Sequence, residues 1–145
     1  MKKVFILSFL SMLVFASCRF ISGEKIRGNG VIKTKTVSPG SFSAIEAGGA
    51  FSIYILQDSS STARLETDEN LLDYIEMDIH DNILEIRTER DVNLRPSGKI
   101  KVFVSTPSMN MVKASGACDV KSENRITSET AFKIKVSGAS NVNMD

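Results

Sequence analysis

The stretch Val112-Lys-Ala-Ser-Gly-Ala-Cys-Asp-Val120 decides the fold, because the chain repeats it. It recurs 22 residues later as Ile134-Lys-Val-Ser-Gly-Ala-Ser-Asn-Val142. A looser copy lies upstream as Ile45-Glu-Ala-Gly-Gly-Ala-Phe-Ser-Ile53. Self-similarity at a short fixed period is typical of architectures in which one supersecondary unit stacks on the next.

Each copy predicts two short strands joined by a bend. Alternate residues of a strand share one face. In every copy, one alternate set begins and ends with Val or Ile and has glycine at its centre. We expect Gly49, Gly116 and Gly138 to be structural, because a bend or a close backbone approach excludes a side chain. The other set is polar and should face outward: Lys113, Ser115, Asp119, and then Lys135, Ser137, Asn141.

One such unit cannot fold alone. Burying a Val or Ile contributes roughly 1.5–3 kcal/mol, whereas ordering each residue of the unit costs roughly 1–2 kcal/mol. Stacked units share the gain, because each covers the apolar face of its neighbour. The repeats therefore predict a mainly β, solenoid-like domain. The alternative is an ordinary sandwich containing two similar hairpins.

Length and composition place the chain among single-domain globular proteins. It has 145 residues, of which 42% are hydrophobic and 24% charged. The formal net charge of +1 provides no electrostatic footprint for nucleic acid, so we expect no nucleic-acid partner.

The first residues predict a lipoprotein leader. A basic Met1-Lys2-Lys3 precedes an apolar run from Val4 to Ala16, which together predict a helical signal peptide over residues 1–17. The order Phe15-Ala16-Ser17-Cys18 resembles a bacterial lipobox, with cleavage between Ser17 and Cys18. Acyl chains such as palmitate on Cys18 would then anchor the protein in a lipid bilayer. The alternative is an ordinary signal peptide followed by an incidental cysteine.

The rest of the chain divides into a flexible tether over 18–30 and a folded domain over 31–145. The domain should contain the strands Phe51–Gln57 and Lys99–Ser105, the second with Ile100, Val102 and Val104 inward. Residues 75–79 and 83–87 should form a hairpin about an Asp-Asn turn. Residues 68–75 should form about one helical turn capped by Asp68, and 92–98 a loop.

These features together resemble a known family. Three stretches are similar to the auto-transporter adhesin head domain, or GIN domain, of lipoproteins and secreted proteins of Bacteroidetes-type bacteria. They are the run Asp68-Glu-Asn-Leu-Leu-Asp-Tyr-Ile75, the strand Lys99 to Val104 with Thr106-Pro107, and the two Ser-Gly-Ala repeats. The resemblance covers residues 38–145. It implies a right-handed β-helix-like domain, and no functional residue is carried over. Family members usually continue through further Ser-Gly repeats, so we expect this domain to be C-terminally shortened.

The sequence offers little that carries catalytic chemistry. The only histidine, His80, falls at a predicted turn, where a solvated side chain is expected. Asp68, Glu69 and Asp73 lack the spacing of a calcium loop. Cys118 falls in the inward set, where we expect an inert buried thiol. No motif for a metal, a phosphate or another cofactor is present, so we expect none.

Two functional classes follow. The first is a non-catalytic envelope lipoprotein whose β-solenoid head is an adhesin or a binding module for glycan or protein. The second is a polysaccharide-active β-helix enzyme, which the scarcity of outward carboxylates disfavours. A purely structural envelope role is a third interpretation. The residues after Cys18 lack an acidic cluster resembling a surface-export signal, so we expect the inward face of the outer membrane.

The last repeat carries one further expectation. A terminal unit exposes unpaired strand edges unless something covers it. We therefore expect the C-terminal edge to be loose or to self-associate.

Replacement of Cys18 tests the anchor. Cys18→Ala should abolish lipid labelling and release the protein from the membrane fraction, because no acyl chain can be attached. Metabolic labelling with a fatty acid and fractionation measure both effects. Cys118→Ala is the control and should change neither. An unlabelled wild-type protein would contradict the prediction.

Overall fold

The computed structural model describes residues 23–145. The predicted signal peptide, its cleavage between Ser17 and Cys18, and the acylation of Cys18 lie outside the described residues. The elements, in chain order, are β1 Glu24–Arg27, β2 Ile32–Val37, β3 Ala44–Gly49, β4 Phe51–Gln57, β5 Thr62–Asp68, a 3-10 helix Glu69–Tyr74, β6 Ile75–His80, β7 Ile83–Thr88, β8 Val92–Arg95, β9 Ile100–Thr106, β10 Met111–Gly116, β11 Asp119–Ser122, β12 Lys133–Val136 and β13 Asn141–Asn143.

The strands form a mainly β single domain, as predicted. A five-stranded sheet has the order β12-β10-β3-β7-β6, and a six-stranded sheet has the order β13-β11-β4-β9-β5-β2. Strands β1 and β8 pair separately. Neighbours are parallel except where β6 meets β7 and where β5 meets β9 and β2. The antiparallel strands therefore lie together at one end of the two larger sheets.

The three copies of the repeat stack in the register that the sequence predicts. Val112 pairs with Ile45 on one side and with Ile134 on the other. After the bend, Val120 pairs with Ile53 and with Val142. The prediction of two strands joined by a bend is confirmed, and each copy contributes one strand to each large sheet.

The stacked pairs of strands, here called rungs, do not follow chain order. The rung β3/β4 lies between β7/β9 on one side and β10/β11 on the other, and β12/β13 follows β10/β11. The first two copies are neighbours although Glu46 and Lys113 are 67 residues apart. The intervening chain forms the antiparallel strands and then the rung β7/β9.

The core lies between the two large sheets, and the inward sets of the first two copies are buried in it. Ile100, Val102 and Val104 are also buried, as predicted. The third copy differs, because Ile134 and Val136 are 50% and 47% exposed. Within the described residues β12 is an edge strand, so no further rung covers these side chains.

The bends of the three rungs nest closely. Gly49, Gly116 and Gly138 have φ angles of 145°, 86° and 73°. The amide of Ala117 donates to the carbonyl oxygen of Gly49 at 2.8 Å, and that of Ala139 donates to Gly116 at 2.7 Å. A Cβ atom at Gly116 would lie 2.5 Å from the Gly49 oxygen. The three glycines are called the glycine column below.

Two segments differ from the sequence-based expectation. Residues 24–27, predicted as part of a flexible tether, form β1, and residues 92–95, predicted as a loop, form its parallel partner β8. Each segment is only four residues long, and this small sheet lies outside the two that enclose the core. The remainder of the predicted tether, 18–22, lies outside the described residues.

Asp68 also has a different role from the predicted helix cap. The 3-10 helix forms over one short stretch as expected, but the Asp68 side chain makes no capping bond to it. Its buried carboxylate instead accepts hydrogen bonds from the Gly30 amide at 2.7 Å and from the Ser97 amide and hydroxyl at 2.9 and 2.7 Å. Asp68 thus joins three segments that are distant in sequence.

The surroundings of Asp68 lower the pKa of its carboxyl group below the ordinary value. Burial acts in the opposite direction and raises the pKa, but the hydrogen bonds from Ser97 and Gly30 together outweigh it.

The predicted β6–β7 hairpin is confirmed, with Asp81 and Asn82 at φ angles of 49° and 67° in its two-residue turn.

Substitution of Gly116 tests the glycine column. Gly116→Ala should lower the free energy of unfolding by about 2 kcal/mol, since it combines a left-handed φ with a backbone clash. A loss of that size lowers the thermal midpoint of a domain of this size by about 8 °C. Gly98→Ala is the matched control, because a Cβ there has no atom within 4 Å. Equal midpoints for the two variants would contradict the assignment.

Acid titration tests Asp68. Because folding lowers its pKa, the ionised carboxylate stabilises the fold above the unfolded pKa of about 3.9, and this contribution disappears as the pH falls through the lower folded value. Asp68→Asn should therefore be less stable than wild type at pH 7, and the difference should shrink below about pH 4. Urea unfolding between pH 7 and pH 3 measures it. A difference that is independent of pH would contradict the prediction.

Candidate binding surface

The outer face of the six-stranded sheet carries a row of cationic and aromatic side chains. Lys121 on β11 is in register with Tyr54 on β4, Tyr54 with Phe103 on β9, and Phe103 with Arg64 on β5. These four residues are called the platform. They face outward because their neighbours along each strand are buried in the core: Val120, Ile53, Ile55, Val102, Val104, Ala63 and Leu65.

The side chains of the platform stack on one another. The rings of Tyr54 and Phe103 have centroids 5.0 Å apart and an interplanar angle of 16°. The guanidinium carbon of Arg64 lies 4.2 Å from the Phe103 ring centroid. Such cross-strand and cation–π contacts hold the side chains in place. The two rings are only partly buried, and Arg64 and Lys121 are exposed, so a preorganised surface faces solvent.

The charge around the platform is positive. In the next row, Lys101 pairs with Glu66 at 2.8 Å, and the hydrogen bond to Glu66 raises the pKa of the Lys101 ammonium group. Within residues 23–145, neither Arg64 nor Lys121 has a carboxylate within 4.0 Å, so both charges are free to meet a ligand.

The predicted outward residues of the repeats do not form one surface. Lys113 and Ser115 lie on the five-stranded sheet, where Lys113 pairs with Glu46 and the Ser115 hydroxyl donates to the Ala47 carbonyl. Asp119 and Asn141 lie on the six-stranded sheet and bond to each other at 3.1 Å. The bend at each glycine separates the two groups. Lys135 and Ser137 are exposed on the last rung.

The sequence analysis missed the platform. Tyr54 and Phe103 stand at outward positions of two predicted strands, which is a signal in itself. Recognising the cluster also requires knowing that β4 pairs with β9 and β9 with β5, and no repeat in the sequence indicates those pairings.

Cys118 and His80, which the sequence analysis considered as candidate reactive residues, have no chemical role in the structure. Cys118 is fully buried, as predicted, and its sulfur lies 3.3 Å from the Ser115 carbonyl oxygen. Burial raises the pKa of the Cys118 thiol, which disfavours the reactive thiolate. His80 is exposed at the last position of β6, beside the hairpin turn.

Residues 23–145 contain no group of three or more His, Cys, Asp or Glu side chains placed to hold a metal ion. None of the helices in these residues has the length and apolarity needed to cross a membrane.

The two large sheets enclose one core and leave their outward side chains exposed, which defines a mainly β single domain. The family is equally clear. Residues 41–145 match the family described as "Putative auto-transporter adhesin, head GIN domain", and the chain belongs to it. The resemblance noted in the sequence is therefore confirmed. No curated protein matches the chain.

Solved structures with the same fold come from Parabacteroides and Bacteroides species. A putative adhesin from Parabacteroides merdae is 26% identical, with a TM-score of 0.70, over 78% of this chain and 47% of its own. A putative adhesin from Bacteroides fragilis is 24% identical, with a TM-score of 0.76, over 82% and 55%. A putative lipid binding protein from Parabacteroides distasonis is 20% identical, with a TM-score of 0.73, over 82% and 51%. The chain thus spans about half the length of these proteins.

Proposed function

We propose that this protein is a non-catalytic adhesin-like module of the bacterial cell envelope that binds a glycan or protein ligand on the platform. The observation that carries the proposal is the exposed stack of Tyr54, Phe103 and Arg64, with Lys121 at its border. Aromatic side chains provide contact area at a small entropic cost, and they are enriched with Arg where proteins bind partners. Family membership and the names of the related structures agree with this function.

The geometry of the platform favours binding over catalysis. Its two unpaired charges are cations, whereas the nearby carboxylates Glu66 and Asp119 are engaged with Lys101 and Asn141. Glycoside hydrolysis usually needs two carboxylates that flank the scissile bond. A polysaccharide-active enzyme is therefore the less favoured candidate. In a purely structural envelope protein the aromatic stack would serve only to stabilise the sheet.

We also propose that the stacked rungs form a right-handed β-solenoid. The parallel, in-register pairing of three repeats supports this architecture. Two features depart from a simple coil. Antiparallel strands lie at the other end of the sheets, and the rungs do not follow one another in chain order. An experimental structure of this domain would give the hand of the coil directly, and a left-handed path would contradict the proposal.

The envelope location rests on the leader and on the family. We propose that acylated Cys18 anchors the head to the outer membrane. Residues 19–22 and the following segment would then connect the anchor to β1, which begins at Glu24. The anchor is tested by the Cys18→Ala experiment above, and its failure would leave the proposed binding surface intact.

Substitutions on the platform test the binding function. Arg64→Ala and Tyr54→Ala should each weaken binding to the captured ligand about 5- to 30-fold, since cation–π and aromatic contacts contribute about 1–2 kcal/mol each. A glycan array and a pull-down from envelope extract identify the ligand, and titration with the purified ligand measures the loss.

The matched control is Arg87→Ala. Arg87 is also exposed, but it lies on the other large sheet, where it pairs with Glu76 and Glu85. This variant should bind as wild type does. Tyr54→Ala will also lower stability through the lost ring stacking, so Arg64→Ala is the decisive variant. An intact Arg64→Ala variant that keeps wild-type affinity for every captured ligand would contradict the platform.

We further propose that the C-terminal edge pairs with a second copy. All four residues of β12 are exposed, and Lys133 and Lys135 make this edge basic. At the opposite edge of the same sheet, β6 and β7 are acidic, because Glu76, Asp78 and Glu85 surround the single cation Arg87. A head-to-tail arrangement would join the two edges.

Light scattering at low salt tests the self-association. The described domain should form dimers and larger species as its concentration rises, and high salt should reverse this by screening the charges. Lys133→Glu with Lys135→Glu should remain monomeric, whereas the control Lys25→Glu on β1 should associate. A wild-type domain that stays monomeric at every concentration would contradict the proposal.

A further inference from the structure

A second concave surface lies away from the platform, at the end of the rungs where β3, β7 and β10 begin. It is a groove of about 400 Å³. Three successive rungs each place one polar residue there, immediately before the strand: Asn82, Ser43 and Asn110. The Ser43 amide donates to the Asn82 carbonyl at 3.1 Å, and the Asn110 amide donates to the Ser43 carbonyl at 2.7 Å. The three side chains therefore form a ladder at the spacing of adjacent strands, about 4.8 Å.

The side chains of the ladder bond to one another at Ser43. The Asn82 amide nitrogen Nδ2 donates to Ser43 Oγ at 2.8 Å, and the Asn110 Nδ2 donates to the same oxygen at 3.2 Å. A hydroxyl oxygen has two acceptor positions and one donor proton. Both acceptor positions of Ser43 are thus occupied, and its proton is left to donate.

The ladder keeps further polar atoms free. The Oδ1 atoms of Asn82 and Asn110 accept no hydrogen bond from residues 23–145. The groove therefore presents the two amide oxygens as acceptors, with the Ser43 proton between them and the second amide proton of each asparagine as further donors. This order is fixed by the backbone pairing, because each residue is bonded to the rung beside it.

The rest of the groove is nearly neutral and partly apolar. Ile83 and Met111 contribute apolar surface, and Asp81 and Lys133 contribute one charge of each sign. A second depression of about 500 Å³ adjoins the groove and shares Ser43, Asn82, Asn110 and Thr130 with it. Sites for small ligands have volumes of about 300–1,000 Å³, with apolar walls and a few convergent polar groups.

We propose that the Asn82–Ser43–Asn110 groove binds a neutral glycan, with sugar hydroxyls bonded to the two amide oxygens and the serine hydroxyl. A sugar ring carries adjacent hydroxyls that both donate and accept, as this ladder requires, and its C–H faces suit Ile83 and Met111. The oxygens of an anionic ligand accept hydrogen bonds and cannot donate to the two amide oxygens. Those amide oxygens would remain unpaired, which disfavours an anionic ligand. The groove is a site separate from the platform.

The experiment is a titration of the ¹⁵N-labelled domain with a panel of neutral oligosaccharides of glucose, galactose, mannose and N-acetylglucosamine. We expect at least one to shift the side-chain amide signals of Asn82 and Asn110. Ser43→Ala, Asn110→Ala and Asn82→Gly should each weaken that binding about 10-fold or more. Glycine is used at position 82 because its φ angle is 67°.

Two controls separate the groove from the platform. Asn143→Ala removes an exposed amide from β13, and Arg64→Ala alters the platform. Both should bind the oligosaccharide as wild type does. Binding that is lost in Arg64→Ala but kept in Asn110→Ala would support the proposed function and overturn the groove. If no oligosaccharide in the panel shifts the Asn82 and Asn110 signals, the groove proposal is also overturned.

Discussion

The close nesting of the bends at Gly49, Gly116 and Gly138 is the constraint on which the rest of the repeat structure depends. The carbonyl oxygens of Gly49 and Gly116 each accept a hydrogen bond from the next rung, from the amides of Ala117 and Ala139. This approach needs a positive φ at Gly116 and Gly138 and leaves no room there for a Cβ atom. Because the bend falls at the same position in each of the three repeated rungs, the two flanking strands enter both large sheets in matching register.

The register determines which outward side chains become neighbours on the surface. Side chains at equivalent positions of adjacent rungs become neighbours at the strand spacing of about 4.8 Å, so rows of different residue types form across the sheets. The platform and the polar groove are both rows of this kind. No single rung contains either, and a slip of one residue in one strand would turn its contribution to the opposite face. Fold stability and the two proposed binding sites therefore depend on the same pairing.

The sequence predicted the features that are local or repeated. The inward positions of Ile100, Val102 and Val104, the hairpin turn at Asp81 and Asn82, and the pairing of the three copies follow from alternation, turn chemistry and self-similarity. Features that depend on which distant strands pair were not predictable in the same way. Asp68 looked like a helix cap because its partners Gly30 and Ser97 are remote in sequence.

The same reason explains the missed binding surface. Nothing in the local pattern of β4 or β9 indicates that Tyr54 and Phe103 stack, and Arg64 lies on a strand that carries no repeat. The pairing of β1 with β8 was missed because each strand has only four residues and at most two apolar positions, too few for a clear alternation. The chemical character of each segment could be predicted from its residues, but the way in which distant segments assemble into a site could not.

Native-state hydrogen exchange at the Ala117 amide tests the central claim most directly. This amide stands at a bend, where a surface turn would exchange quickly, but it is bonded to Gly49 in the neighbouring rung. The glycine column predicts that Ala117 is protected to a similar degree as the amides of β4 and β9, because it opens only when the rungs separate. Exchange of Ala117 at the rate of the loop amide of Ser59, with β4 and β9 still protected, would show that the bends do not hold the rungs together.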